Sequence, residues 1–372
     1  MKFVIITHTP HIIDQGKLFA YGPYISEMNL WGSYVDELTV IAPVLNRNIS
    51  EIDLPYHFEN IQLKRIPSIS FVSFFQLIRS IVFVPVIFYV ILKEMYKTDH
   101  IHLRCPGNIG LIGCIAQICF RKKIKTTKYA GNWDPNSKQP FSYRLQKWLL
   151  SNTFLTRNMQ VLVYGNWTGQ TRNIKPFFTA TYPKCKAFSN RLISNIQPSR
   201  FIFVGSLSSG KRPLYAVKLV EALYKKGIDC SLDLYGEGVE RSCIESYIEV
   251  NQLKNRMRLH GNHPSEIIEN VYKKSHFLIL PSTSEGWPKV IAEAMFWGSI
   301  PIATEVSCVP WMLGNGDRGV LIEMDLDRDV TKVLSLLIQK EKLDDIRTKA
   351  QNWSQNYTLD TFECEIVKLL SK

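Results

Sequence analysis

Residues 277–296, FLILPSTSEGWPKVIAEAMF, read as one strand–turn–helix unit. Phe277–Leu280 is an apolar run of strand length and the residues from Pro281 form a polar turn. Pro288 falls where a first helical turn tolerates a residue without a backbone N–H, and the helix then runs to Phe296. The same alternation extends outward in both directions. Lys2–Ile6, Leu38–Ile41, His100–Leu103, Lys125–Tyr129 and Val161–Tyr164 read as strands in the first half. Phe201–Val204, Ser231–Tyr235, Met257–Leu259 and Ile300–Ala303 do so in the second, with helix-length stretches such as Pro213–Lys226 between them. Alternation of this kind predicts α/β domains with parallel, doubly wound sheets, and it happens twice. The polar stretch Ile193–Ser199, with Pro198, is the expected boundary. It gives domains 1–197 and 198–357, and a last helix, Leu359–Leu370, within 358–372. Ligands of open α/β sheets bind beyond the carboxyl ends of strands, so the functional residues are expected in the loops that follow them.

Composition narrows the possibilities. Of 372 residues, 45% are hydrophobic and 21% charged, which excludes a disordered chain. No window has the 18 or so uninterrupted apolar residues of a spanning helix, and Phe3–Ile6 is too short for a secretory signal core. A cytoplasmic chain is the expectation. The eight cysteines are dispersed without a C-x-x-C pair, so neither a disulfide framework nor a zinc site is expected. Charge is uneven: residues 1–197 hold 23 Lys+Arg against 10 Asp+Glu, and the remainder is nearly balanced. An anionic partner for the first half follows, either a phosphorylated substrate or an acidic membrane surface. No nucleic-acid-binding module is present to favour nucleic acid. The apolar segment Ile69–Tyr96 contains Arg79 and Pro85, and its longest clean run, Ile81–Leu92, is 12 residues. It reads either as a helix packed on a sheet or as an interfacial helix. Arg121, Lys122, Lys123, Lys125 and Lys128 follow it and supply the second signal that peripheral membrane attachment needs.

Three loops carry chemistry. After Phe201–Val204 comes GSLSSGKR, Gly205–Arg212, which departs from the G-x-x-x-x-G-K-[ST] pattern at Arg212, where a magnesium-binding hydroxyl would stand. A glycine turn with Lys211 ahead of a helix still offers N–H groups and a cation to a diphosphate. The second loop, Tyr235–Gly238, has glycines that permit close backbone approach, as an ordinary strand-to-helix turn also does. The third, Pro281–Glu293, sets Glu285 before a helix and Glu293 inside it, with the N–H groups of Gly286, Trp287, Lys289 and Val290 available to an anion. Residues alone leave two readings open: a diphosphate-sugar site with two carboxylates, or a capping glutamate followed by a surface one.

The E-x7-E spacing of Glu285 and Glu293 within SEGWPKVIAEAM resembles the signature of the retaining nucleotide-sugar glycosyltransferases of family 4, which have the GT-B fold. Around it fall, in the family's order, F-V-G-x-L with Lys211, the Y-G-E-G turn, L-H-G ending at Gly261, L-P-S, P-I-A-T at Pro301–Thr304, and Gly319. The resemblance covers roughly residues 200–325. It implies two Rossmann-like domains facing across a cleft, 1–197 on the acceptor side and 198–357 binding the donor, a C-terminal helix in 358–372 that crosses back to the first domain, and no metal or other cofactor, a nucleoside diphosphate sugar being the co-substrate. Glu293 would hold the donor ribose and Glu285 would contact the transferred sugar as a catalytic group. Gly205, Lys211, Arg212, Gly236, Gly261 and the segment Gly286, Trp287, Pro288, Lys289 and Val290 would bind the donor. Departures are equally specific. Ser206 stands where the family often has Arg, Ser307-Cys308 where it has Gly-Gly, and Trp311 where it has an acidic residue. Many relatives carry His-x-His after the fourth strand; here His102 is followed at the second place by Arg104, which is expected to meet phosphate or carboxylate and is counted as catalytic. His8, Gly16 and Gly22, in and after the first βα loop, are the acceptor-side candidates.

The resulting expectation is a retaining, metal-independent glycosyltransferase, peripheral on the inner face of a membrane. It would move a sugar to a hydroxyl of a saccharide or lipid-linked saccharide in surface polysaccharide or glycolipid assembly. The alternatives are a nucleotide-sugar epimerase on the same fold and a donor-binding protein without turnover.

Overall fold

The computed structural model describes residues 1–50, 52–69, 74–188 and 198–371. It divides into two compact units, Met1–Phe177 with Glu363–Lys372, and Phe178–Phe362. The division thus falls twenty residues before the expected boundary, most of whose polar stretch lies outside the described residues. Residues 178–188 go with the second unit because they pack on it: Leu359 N–H donates to the Tyr182 carbonyl at 3.0 Å, and the Tyr182 ring lies 5.0 Å from Phe296. The helix Leu359–Leu370 begins in the second unit and is grouped with the first from Glu363 onward.

The first unit is built on seven parallel strands: β1 (Lys2–Ile6), β2 (Glu37–Ala42), β3 (Ile61–Arg65), β4 (His100–Cys105), β5 (Ile124–Tyr129), β6 (Met159–Tyr164) and β7 (Ile174–Phe177). Their order is β7-β6-β5-β4-β1-β2-β3. Burial on both faces explains the near-continuous apolar run Phe3–Ile6, none of it exposed. The chain steps outward from β1 to β3 and then returns to β4 on the other side of β1. The carboxyl ends of β1 and β4 therefore make a topological switch point, where such sheets bind ligands. Three elements escape the sequence pattern: the edge strands β3 and β7, and a small antiparallel sheet of His11–Asp14, Lys17–Tyr21 and Asp53–Pro55.

Helix Phe74–Lys97 packs one face against the core of the first unit and leaves the other exposed. Ile87, Ile91 and Met95 are fully buried in the core of the first unit, whereas Val82, Val86, Tyr89 and Tyr96 are exposed. Residues 70–73 of that segment lie outside the described residues. Among the described residues no helix is long and apolar enough to cross a membrane.

The second unit has six parallel strands: β8 (Ser199–Val204), β9 (Cys230–Tyr235), β10 (Met257–Gly261), β11 (Phe277–Leu280), β12 (Ile300–Thr304) and β13 (Val320–Ile322). Their order, β10-β9-β8-β11-β12-β13, puts the switch point between β8 and β11. Phe201 and Phe277 stack across it at 4.9 Å, and the core continues through Phe203, Leu232, Leu234 and Ile302. The two loops with the strongest sequence signals, after β8 and after β11, are the two that border this point.

Candidate functional site

Lys211, at the end of the β8 loop, reaches Glu285, at the end of the β11 loop, with Nζ 2.5 Å from Oε1. Glu285 is nearly buried and Lys211 is half-buried, so the pair forms one face of a site at the switch point. The backbone ties the same loops together: Thr283 N–H and its hydroxyl both donate to the Gly210 carbonyl, at 2.9 and 3.2 Å. Arg212 caps the helix Pro213–Lys225 in a left-handed conformation, φ 50°, and Lys289 opens the helix Lys289–Phe296. Neither forms an ion pair among the described residues, which leaves both cations available to an anion. Pro288 is the residue before that helix rather than inside it, so Lys289 and Val290 supply its first N–H groups.

Glycine has a steric reason at Gly236. A Cβ there would sit 1.9 Å from the Gly205 carbonyl oxygen, because Gly205 N–H donates to the Tyr235 carbonyl and draws the two loops together. Gly236 N–H in turn donates to the Gly261 carbonyl at 2.8 Å, and Gly261, at φ 78°, would bring a Cβ within 2.9 Å of the Glu237 carboxylate. These glycines shape the floor of the β8 loop and are structural before they are contacts. Gly236→Ala is expected to destabilise the second unit by about 1–3 kcal/mol through overpacking. Thermal melting with nucleotide titration tests this, and an unaltered melt would contradict it.

Two departures from the family pattern have a local explanation. Ser307 occupies a left-handed backbone position, φ 54°, and its hydroxyl accepts the Glu285 N–H at 3.1 Å. The Cys308 thiol donates to the Gly286 carbonyl at 2.9 Å, and burial together with the Glu285 charge pushes its pKa up. Both side chains therefore hold the loop that carries Glu285. No sequence signal beyond their odd identity pointed to this.

Glu293 is not a free surface residue. Its carboxylate accepts from the Thr181 hydroxyl at 2.7 Å and from the Tyr272 hydroxyl at 3.2 Å. Neither partner was legible in the sequence, since they lie 112 and 21 residues away. Burial and the Glu293 charge keep Tyr272 protonated, its pKa well above the ordinary tyrosine value. The donors mark the hydrogen-bonding directions that a pair of ligand hydroxyls would take over. Trp287, by contrast, is turned into the core: its ring packs against Phe178, Trp311, Trp353 and Tyr357 at 5.6–6.3 Å. Its expected donor contact is therefore corrected to a structural role for the indole. Trp311 fills the position of the family's acidic residue with part of this aromatic cluster.

In the first unit, Arg104 does meet a carboxylate, but an internal one. Its Nη1 lies 2.6 Å from Glu27 Oε1, and Lys128 Nζ lies 2.8 Å from Glu27 Oε2, with all three residues buried. Burial works to raise the Glu27 pKa; the charges of Arg104 and Lys128 outweigh it and bring it down to about 2. Arg104 is thereby corrected from a catalytic candidate to a member of a buried ion triad at the end of β4. His8 lies beside it at the end of β1, and a Cβ on Gly107 would come within 2.7 Å of the His8 Nδ1. Surrounding protein, and next the Arg104 charge, lower the His8 pKa and favour the neutral imidazole. His8 thus lies just beyond β1, beside the switch point of the first unit. Gly16, with Gln15, forms the two-residue turn between Asp14 and Lys17, where both residues need positive φ (45° and 78°). Gly22 starts the helix Gly22–Gly32, with its N–H on the Ile52 carbonyl, and a Cβ there would crowd Ile52 and Leu54. His102, at the first place of the family's pair, is buried and bonded to the Thr126 hydroxyl. Among the described residues no group of His, Cys, Asp and Glu could hold a metal ion.

Comparison with known proteins bears on the fold and on the second unit. Over its whole length the chain superposes on the Anabaena protein HepE in complex with UDP, with a TM-score of 0.69, 16% identity and 100% of both chains covered. Sucrose-phosphate synthase from Thermosynechococcus elongatus gives 0.67 and 15%, covering 100% of this chain and 98% of that one. At such identities the likeness shows the fold, which is the paired Rossmann-like architecture of GT-B glycosyltransferases. An uncharacterized glycosyltransferase of Methanocaldococcus jannaschii is 30% identical over 125 residues, 34% of this chain and 35% of that protein. The alpha-D-kanosaminyltransferase of Streptomyces kanamyceticus is 26% identical over 121 residues, 32% and 31% of the two chains. The chain thus spans about a third of the length of these curated relatives. A family model described as glycosyl transferases group 1 matches residues 187–353, so the stretch that carries Lys211, Glu285 and Glu293 is the one similar to that family.

Proposed function

We propose that the protein is a retaining glycosyltransferase that moves a sugar from a nucleoside diphosphate to a hydroxyl of a saccharide or lipid-linked saccharide, without a metal ion. The observation that carries this reading is the Lys211–Glu285 pair at the β8/β11 switch point, inside the segment that matches the group 1 model. In this reading Lys211, with Arg212, Lys289 and the first N–H groups of the helix Lys289–Phe296, neutralises the diphosphate and lets it depart without magnesium. Glu293 exchanges its hydroxyl donors Thr181 and Tyr272 for those of the nucleotide ribose. Glu285 faces the transferred sugar and steadies positive charge at its anomeric carbon. The acceptor oxygen bonds to that carbon on the face from which the diphosphate leaves, and its proton passes to the departing phosphate oxygen. Configuration is thereby kept. The basic first unit supports an anionic, lipid-linked acceptor at the inner membrane face, in surface polysaccharide or glycolipid assembly.

Calorimetric titration of UDP and GDP, without metal, tests the donor site directly. UDP is the first choice because HepE has been crystallised with it. One of the two is expected to bind the wild type, and Glu293→Ala to lose about 1–3 kcal/mol as a charged acceptor is deleted. Binding of neither nucleotide, or equal binding by the variant, would remove the basis of the proposal. Arg212→Ala and Lys289→Ala belong in the same series. A weaker diphosphate affinity in one of them identifies the cation that replaces the arginine missing at Ser206, and no change in either leaves Lys211 as the sole cation.

A further inference from the structure

At the amino-terminal ends of β5, β6 and β7, opposite the end that carries His8, the first unit contains a groove of about 910 Å³. Lys122, Lys125, Arg157, Arg172 and Lys175 line it, and no acidic residue does. None of the five forms an ion pair with a carboxylate among the described residues. Lys125 is buried, its Nζ satisfied only by the carbonyls of Gln117 and Phe120, and burial lowers its pKa to about 8. Gathering five cations without a counter-charge is costly unless an anion completes the site. Nothing in the proposed transfer chemistry uses them.

The rim of this groove decides which anion. Phe154, 64% exposed, lies on it with the guanidinium groups of Arg121 and Arg157 over its ring at 4.8 and 5.6 Å. Beside Lys122, Lys123 donates to the carbonyls of Met95, Tyr96 and Thr98 and so fixes the end of helix Phe74–Lys97 against the start of β5. From that point the exposed residues Tyr96, Tyr89, Val86 and Val82 run back along one face of the helix, with exposed Lys93 between the two tyrosines completing the i, i+3/i+4 row. Soluble surfaces rarely keep aliphatic and aromatic side chains exposed in such a row. Cations for phosphate beside aromatics and aliphatics for the acyl boundary are the two components of an interfacial membrane contact.

We infer that this groove and the adjoining stripe form a docking surface for an anionic lipid leaflet, with headgroup phosphates entering the groove and Phe154, Tyr96 and Tyr89 seated at the interface. This deepens the membrane part of the proposed function and rests on it, but not on glycosyl transfer, because its test needs no nucleotide sugar. The test is co-sedimentation of the full chain with phosphatidylcholine vesicles and with vesicles containing 30% phosphatidylglycerol, for the wild type and for the triple variant Lys122→Gln/Arg157→Gln/Lys175→Gln. All three side chains are exposed, so folding is preserved, and thermal melting checks it. Binding to the anionic vesicles only, weakened on the order of a hundred-fold in the variant, is the expected result. Phe154→Ser should weaken it as well. If the wild type ignores anionic vesicles, the membrane reading falls and the docking surface with it. Equal binding by wild type and variant overturns the surface alone. Displacement from vesicles by millimolar inorganic phosphate, or tighter binding to RNA than to vesicles, also overturns it, identifying the groove as a site for free phosphate or nucleic acid.

Discussion

Glu285→Gln is expected to lower kcat on the order of a hundred- to a thousand-fold while leaving nucleotide affinity within a few-fold of the wild type. The substitution keeps the shape of the side chain and its ability to accept from Lys211, and removes only the charge. That charge sits in a nearly buried position at the switch point, where an electrostatic contribution to a developing cation is least screened. Lys211 simultaneously loses its internal counter-ion and becomes freer to meet the diphosphate, so nucleotide binding should hold or tighten. The split separates Glu285 from Glu293, whose replacement acts on binding. Steady-state rates with calorimetry on the same preparation read both numbers, and a Gln variant of wild-type rate would end the catalytic role assigned to Glu285.

Glu27→Ala is the other large effect, and it falls on stability. The change strands Arg104 and Lys128, both buried, without their shared carboxylate. Breaking a buried ion cluster by removing one member costs about 3–5 kcal/mol, a drop on the order of 10 °C in melting for a unit of this size. A melting point within 2 °C or so of the wild type would show that water or rearrangement replaces the carboxylate. The wild type has a matching acid dependence. The folded Glu27 pKa, about 2, lies below the ordinary carboxylate value near 4.5, so its stabilisation is complete above about pH 5. It is lost progressively as pH falls from there toward 2, and amounts to about 3 kcal/mol in all.

Much of the fold was legible because buried parallel strands leave continuous apolar runs. Phe277–Leu280 and Lys2–Ile6 appear with the expected bounds, and the other expected strands differ by one or two residues. The strands that escaped lack that signal for physical reasons. Ile61–Arg65 and Ile174–Phe177 are edge strands, the first half-exposed and the second interrupted by Pro176, which an edge tolerates. Val320–Ile322 is three residues long. His11–Tyr21 turns through Gln15-Gly16, without the Asn-Gly or Asp-Gly that usually announces such a hairpin. The site was legible where its chemistry is local, as in Gly205–Arg212 and Glu285–Glu293. It was not legible where a partner comes from far along the chain. Thr181 and Tyr272 for Glu293, Ser307 for Glu285 and Glu27 for Arg104 are pairings that only the folded backbone creates.

Ser307 shows how a side chain can stand in for the backbone freedom of glycine. A non-glycine residue in the left-handed region costs roughly 1–2 kcal/mol relative to glycine, and the hydrogen bond it provides to the Glu285 N–H returns about 0.5–1.5 kcal/mol. The two nearly cancel. Glycine and serine are therefore nearly equivalent in stability at this position, and the loop that carries Glu285 can be held by backbone freedom in the one case and by a hydroxyl in the other.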